Sequence, residues 1–300
     1  MLPSLSVIIA AHNSKSELLS CLSALKEQQS IDKLSKYEII VVGYLSDETK
    51  KCIEQKYPLV KTLQTSSHLP VPTLRCLGIK ASKGDIMALL EDHCIPADNW
   101  VQSILTNHQI GHLVVGGAVE NNCTKRIADW AVYFFEYSAF MNPIPKGETI
   151  LLPGNNISYK RCVIQYFNDL LEQNLWEHHW HERLAQKDIP MISTPDMIVY
   201  HNRSFRIMRF WHISFLHGYN YASAGSRRSR FRQMSWIMFL VFVPFILTLR
   251  VGQRIFKKQR YIKEFLVSSP IILWFYIGWT IGEVIGTLSG RTINNTGWGE

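Results

Sequence analysis

Short apolar runs alternate with stretches of helical period over residues 1 to 95. Leu5-Ser6-Val7-Ile8-Ile9-Ala10-Ala11 is apolar and rich in β-branched residues, and it stops at His12-Asn13. Ser14 then stands as a cap, and Leu18, Leu19, Leu22 and Leu25 recur at helical spacing. The same logic predicts a strand over Tyr37–Val42, a helix over Ser46–Gln55 and a short strand over Leu59–Leu63. A helix over Pro72–Ala81, with proline near its start, and a strand over Asp85–Leu90 complete the series. Strands and helices in strict alternation predict an α/β fold with a parallel, right-handed wound sheet.

The pattern is less regular from 96 to 203. Val114–Val119 and Met197–Tyr200 predict strands, Leu175–Gln186 a helix, and Pro153-Gly154-Asn155-Asn156 a loop. Ala128–Met141 holds six aromatic residues, whose first expected role is packing in a core. From 204 the character changes again. Arg206, Arg209, Arg227, Arg228, Arg230 and Arg232 are interleaved with aromatic residues. Two apolar stretches follow, Trp236–Leu249 and Phe265–Leu288, separated by Arg250, Arg254, Lys257, Lys258, Arg260 and Lys263. The expected organisation is therefore 1–203 as one domain, with a 1–95 half and a 96–203 half. A basic amphipathic segment over 204–234, an apolar helical hairpin over 235–290 and a tail over 291–300 complete it.

The hairpin has three readings. It crosses a membrane, it lies in or dips into one leaflet, or it is buried in a soluble protein. Arginine beside Trp and Tyr suits headgroup depth and favours the membrane. The first stretch is short for a span of ~30 Å, and six cations between two spans conflict with the positive-inside rule if the catalytic part is also cytoplasmic.

Composition narrows the partners. The net charge is +8, which fits nucleic acid, anionic lipid or a phosphorylated substrate. No nucleic-acid fold is evident and the cations flank apolar segments, so nucleic acid is not expected. The cysteines, at 21, 52, 76, 94, 123 and 162, form no CxxC pair and fit a reducing compartment. Leu5–Ala11 is too short, and uncharged upstream, to act as an export signal. Together these features predict a membrane-associated protein with its catalytic domain in the cytoplasm.

The candidate chemistry begins at Glu91-Asp92-His93, where an apolar run ends in two acids and a histidine. Ligands of open α/β sheets sit beyond the carboxyl ends of the strands. In an extended segment Glu91 and His93 point to one side, and a carboxylate with an imidazole suits Mn²⁺ or Mg²⁺ beside a diphosphate. The competing reading is a solvated strand end.

In order along the chain, these pieces resemble the family 2 glycosyltransferases of GT-A fold. The resemblance runs through Ser6–Asn13, Glu38–Val42, Leu74–Asp85, Glu91-Asp92-His93, Pro96 with Trp100, Pro153–Arg161 and Trp176-Glu177-His178, covering residues 4 to 203. It implies a catalytic domain over 1–203, with a 1–95 nucleotide-binding half and a 96–203 acceptor half, and inverting transfer of one sugar from a nucleotide-sugar donor to a hydroxyl, with a lipid-linked or membrane-proximal acceptor and membrane lipids as partners. No processive-synthase signature is present. In the family the second strand ends in an Asp that reads uracil; here it ends Gly43-Tyr44, with Asp47 displaced. The metal motif is similar to the acid-x-His variant of the mucin-type polypeptide transferases, which implies His201 as a third ligand after Glu91 and His93.

The resemblance further implies Ala10, His12, Asn13, Asp47, Arg75 and Asp92 at the donor, with Asp92 acting through the ribose or a metal-bound water. For several of these a plainer role competes: His12 and Asn13 as caps, Arg75 in a surface ion pair. Glu177 or His178 would be the base, and Gly154, Asn155, Asn156 and Trp176 would meet the acceptor. The two asparagines are equally suited to a turn. Glu177, His178, His179 and His181 invite a zinc reading, but in no HExxH order. The missing strand-end Asp and His178 in place of the family's Asp also fit a decayed, membrane-bound binding scaffold. A sugar-phosphate nucleotidyltransferase would need a basic, Gly-rich loop after the first strand, and there is none.

Overall fold

The computed structural model describes residues 4–12, 14–31, 37–223 and 236–289. Asn13, Arg227, Arg228, Arg230, Arg232 and the 291–300 tail lie outside them. The chain forms two compact units: 1–122 with 140–202, and 123–139 with 203–300. The break after 202 falls at the expected boundary, while residues 123–139, from within the expected 96–203 half, group with the second unit.

The first unit holds one nine-stranded sheet. Its order is β3 (Val60–Gln64), β2 (Tyr37–Gly43), β1 (Leu5–Ala11), β4 (Ile86–Glu91), β8 (Ile157–Lys160), β6 (Val114–Asn121), β9 (Met191–His201), β5 (Cys94–Pro96), with β7 (Gly147–Thr149) paired to β9. The first four strands run parallel, as the alternation predicts. Every residue of β1 is buried, which is why its run is continuously apolar and not alternating. Helices α1 (Lys15–Ile31), α2 (Asp47–Lys56) and α3 (Val71–Ala81) are the connections. The difference from expectation is β8, which enters antiparallel to both β4 and β6.

Helix α4 (Trp100–Gln109) is bolted to β8 by a buried imidazole. His108 Nδ1 donates to the His112 carbonyl at 2.8 Å, and Nε2 accepts the Ser158 hydroxyl at 2.9 Å. Burial pushes its pKa down to about 4. The unfolded histidine takes up a proton near pH 6.5 while the folded one does not. Stability is therefore expected to fall by about 2–3 kcal/mol as pH drops from about 6.5 to about 4. In urea titrations across this range, a His108→Gln variant should lose that component of the slope.

In the second unit, α5 (Ile127–Tyr137) buries Trp130, Tyr133 and Phe134. Its Phe135 ring lies 4.5 Å from Tyr276, so the aromatic segment does pack, but with the C-terminal helices. Part of the expected interface segment folds as α8 (Ile207–Ser223). It packs along α11 (Ile262–Ser289), where glycines bring the backbones together: a Cβ at Gly282 would lie 2.0 Å from the Phe215 carbonyl oxygen, and one at Gly286 2.3 Å from that of Tyr219.

Trp236–Leu249 is not one helix. A short helix α9, described over 236–240, ends at a turn over 241–242, and α10 (Val243–Lys258) begins there with Pro244 in its first turn. The cations expected in a loop mostly lie on α10, which continues through Arg250, Arg254, Lys257 and Lys258 to a tight turn at 259–261. Arg254 donates to Ser138 Oγ at 3.3 Å and Lys258 to the Ala139 carbonyl at 3.1 Å. Among the described residues α11 alone is long and apolar enough to cross a membrane, and nearly half of it is buried in the protein.

Candidate active site

The parallel pairing of β1 with β4 sets Ala10 opposite Glu91, so both strands deliver their ends to one edge of the sheet. Just beyond, Asp92 is fully buried. Its Oδ2 accepts the His12 backbone N–H at 2.6 Å, and its Oδ1 lies 3.3 Å from His93 Nδ1. Both oxygens of Asp92, expected at the donor, have a partner inside the fold. A carboxylate only accepts, so Nδ1 of His93 carries the proton and Nε2 presents its lone pair. That lone pair lies 3.6 Å from Glu91 Oε2. Two electron-rich atoms facing each other fit a bound cation.

The chain turns after Asp92 into β5, whose pairing with β9 puts Cys94 opposite His201. The His93 and His201 rings meet edge to face at 4.9 Å. His93 thus stands beside both Glu91 and His201. They stop short of a shell: among the described residues no three His, Cys, Asp or Glu side chains are grouped as a metal cluster.

The other half of the site is built on Arg75, which is 1% exposed. Its Nη2 donates to Glu91 Oε1 at 2.8 Å and its Nη1 pairs with Glu177. Arg75 is buried, not on the surface as the ion-pair reading expects, and its guanidinium faces two protein carboxylates. Burial opposes its charge, and Glu177 and Glu91 outweigh that, holding its pKa above the ordinary arginine value. Burial raises the Glu177 carboxyl, with Arg75 opposing. Gly154 sits against this pair, since a Cβ there would come within 2.7 Å of Glu177 Oε2 and 3.0 Å of Arg75 Nη1.

Glu177 opens α7 (Glu177–Ala185), and Trp176 at its N-cap packs against the core cluster that holds Ala10, Val71 and Leu74. Ala10 is therefore core, and its carbonyl accepts the Asp92 N–H at 3.1 Å. His178 is exposed, its ring tilted against that of His179 at 4.0 Å. His181 is buried against the Tyr159 hydroxyl at 2.9 Å, and burial lowers its pKa to about 4. Those partners scatter the histidines that invited zinc.

Asn156, expected at the acceptor, accepts the Trp100 indole N–H at 2.8 Å and donates to the carbonyls of Ala118 and Met197 at 2.8 and 2.9 Å. These bonds hold the loop in place. Asn155 is buried as well, its amide 3.4 Å from Cys94 Sγ. At the end of β2, a Cβ on Gly43 would lie 2.2 Å from the Ala11 carbonyl oxygen. The close approach of β1 forbids any side chain at the position where the family has its Asp. What stands there instead is Tyr44, edge-on to His68 at 4.8 Å, with Asp47 exposed in the first turn of α2.

The Arg75–Glu177 link was the part of the site that pattern reading missed. A lone cation inside the apolar face of α3 was its only signal.

Comparison with known proteins follows this geometry. The family model Glycosyl transferase family 2 matches residues 6–169, more than half of the chain. The Haloferax volcanii protein "Glycosyltransferase AglE" is 32% identical over 128 residues, 40% of each chain. "Polypeptide N-acetylgalactosaminyltransferase 10" of Mus musculus is 31% identical over 110 residues, 35% of this chain and 18% of that one. The chain thus aligns with less than half the length of either relative. Among solved structures, the mannosyltransferase PcManGT of Pyrobaculum calidifontis, in complex with GDP-Man and Mn²⁺, superposes with a TM-score of 0.55 at 13% identity, over 96% of this chain and 88% of that one. TarS of S. aureus gives 0.52 at 14% identity, over 90% and 55%. These likenesses show the GT-A fold. With the sheet order, the strand-end acids and the matched span all agreeing, the chain belongs to glycosyltransferase family 2.

Proposed function

We propose that this protein is a membrane-associated, metal-dependent, inverting glycosyltransferase that moves one sugar from a nucleotide-sugar donor to a hydroxyl of a lipid-linked or membrane-proximal acceptor. The observation that carries the reading is the meeting, at one sheet edge, of Glu91 and His93 with the Arg75-linked Glu177. Glu91, His93 and His201 would hold Mn²⁺ or Mg²⁺. When bound, such an ion offsets the charge of a departing diphosphate.

The chain's own groups do the rest. Asp92 keeps the lone pair of His93 Nε2 turned outward. Glu177 takes the proton of the attacking hydroxyl, and burial raises its basicity for that task. His178, exposed, is set aside as the base. Tyr44 and His68 offer ring surface to a base where Gly43 can offer no carboxylate.

The test is release of nucleoside diphosphate from a panel of sugar nucleotides with Mn²⁺. Turnover of at least one donor is expected, reduced ~100-fold or more by Glu91→Ala and by His93→Ala. Full turnover in both variants would remove them as ligands. Tight nucleotide binding without turnover of any donor would point to the decayed scaffold.

A further inference from the structure

The membrane reading above leaves open how the C-terminal helices meet lipid. We propose that α9–α11 form a monotopic anchor lying in one anionic leaflet, and that they do not cross the bilayer. This deepens the membrane part of the proposed function and is independent of its chemistry.

The first observation is an apolar face turned to solvent. Phe242, Phe245, Ile246, Leu249 and Phe256 follow helical spacing and share one side of α10. They are 61, 55, 40, 67 and 50% exposed. The opposite side, with Val251, Gly252 and Ile255, is buried. Next to this face the corner between α9 and α10 adds Met238 and Val241, 67 and 65% exposed. A contiguous patch of large apolar groups marks a surface that something apolar covers.

The second observation names the occupant. Arg250 and Lys257 are exposed along one edge of that face, one and three positions from Leu249 and Arg254 in sequence. An apolar stripe edged by cations complements acyl chains below anionic headgroups. A protein partner would leave those cations unmatched unless it too were acidic.

The third observation argues against a crossing. Trp236–Leu249 would reach ~21 Å even as one unbroken helix, short of the ~30 Å hydrocarbon core, and the turn at 241–242 breaks it. α11 is long enough, but α8 runs beside it, with Trp211 against Gly278, Phe215 against Gly282 and Tyr219 against Gly286. A crossing α11 would carry the exposed His212 of α8 into hydrocarbon. Leu266, Trp274, Ile281, Ile285 and Leu288 mark the outward side of α11, and α8 covers the other side, so only one face of α11 is open to lipid.

The experiment uses the full chain. Phosphatidylcholine vesicles with phosphatidylserine should sediment it, and vesicles without phosphatidylserine should do so much less. Phe242→Ser/Phe245→Ser/Leu249→Ser should weaken binding at least ~10-fold. Arg250→Glu/Lys257→Glu should weaken it ~25-fold or more, at about fivefold per cation. All five side chains are exposed, so folding is retained. In detergent, the serine variant should release nucleoside diphosphate at the wild-type rate, which separates failure of the anchor from failure of the transferase reading.

Sidedness completes the test. In sealed membrane vesicles from expressing cells, native Cys162, which is exposed in the catalytic unit, marks one side. A membrane-impermeant maleimide should reach Gln259→Cys and a cysteine appended after Glu300 from that same side. Protection of either one, or vesicle binding indifferent to both sets of substitutions, overturns the proposal.

Discussion

Arg75→Met is expected to destabilise the protein by about 3–5 kcal/mol at neutral pH. The arginine is almost wholly buried between two carboxylates, Glu91 and Glu177. Removing it leaves two acids without their counter-charge, and Glu177 is only 5% exposed. Losing one member of a buried ion pair costs more than the pair contributes, because desolvation of the survivor is no longer offset. The companion Arg75→Met/Glu177→Gln is expected to recover at least ~1 kcal/mol of the loss, since the more buried orphan is gone. Arg75→Lys should fall between, because one ammonium cannot fork to two carboxylates. Urea denaturation of the three variants checks the order. If Arg75→Met unfolds at the wild-type midpoint, the bridge is not the tie between β4 and α7 that it is taken to be.

Glu177→Gln should lower kcat by ~10²–10⁴-fold, the usual contribution of a positioned base. The amide keeps an oxygen for Arg75, so the fold and the donor site should survive. Calorimetry should therefore find nucleotide affinity near wild type. His178→Ala, at an exposed position, should keep its rate. This pair of variants decides between the two neighbours. A full rate in Glu177→Gln would remove Glu177 from the role.

The parallel half of the sheet was legible because strands buried on both faces must be uninterrupted apolar runs, as Leu5–Ala11 and Ile86–Leu90 are. β7 and β8 were not, since three or four residues carry too little periodicity to outvote a loop. Motif order points to Glu91, His93 and His201 as a group, and the structure sets His93 beside both of the others. The partner of Arg75 leaves no sign in the sequence, because α7 is distant and burial of a cation leaves no trace in spacing. The internal partners of Asn156 are hidden for a related reason: an amide in a loop looks the same whether it bonds substrate or backbone. The aromatic run of α5 reads as packing, but an apolar helix face does not say which neighbour it packs on, and its neighbours come later in the chain. The density of charge after Leu249 masks the helical period that carries α10 to Lys258.

Strand β8 has a mechanical consequence. It is hydrogen-bonded to β4 on one edge and to β6 on the other, so the early parallel strands and the later strands are stitched into a single ladder. A clamshell motion of the two halves would have to tear that ladder. Any gating of the reaction centre must come instead from the connecting segments above the strand tips, and scattering profiles of the catalytic unit should stay unchanged when nucleotide is added.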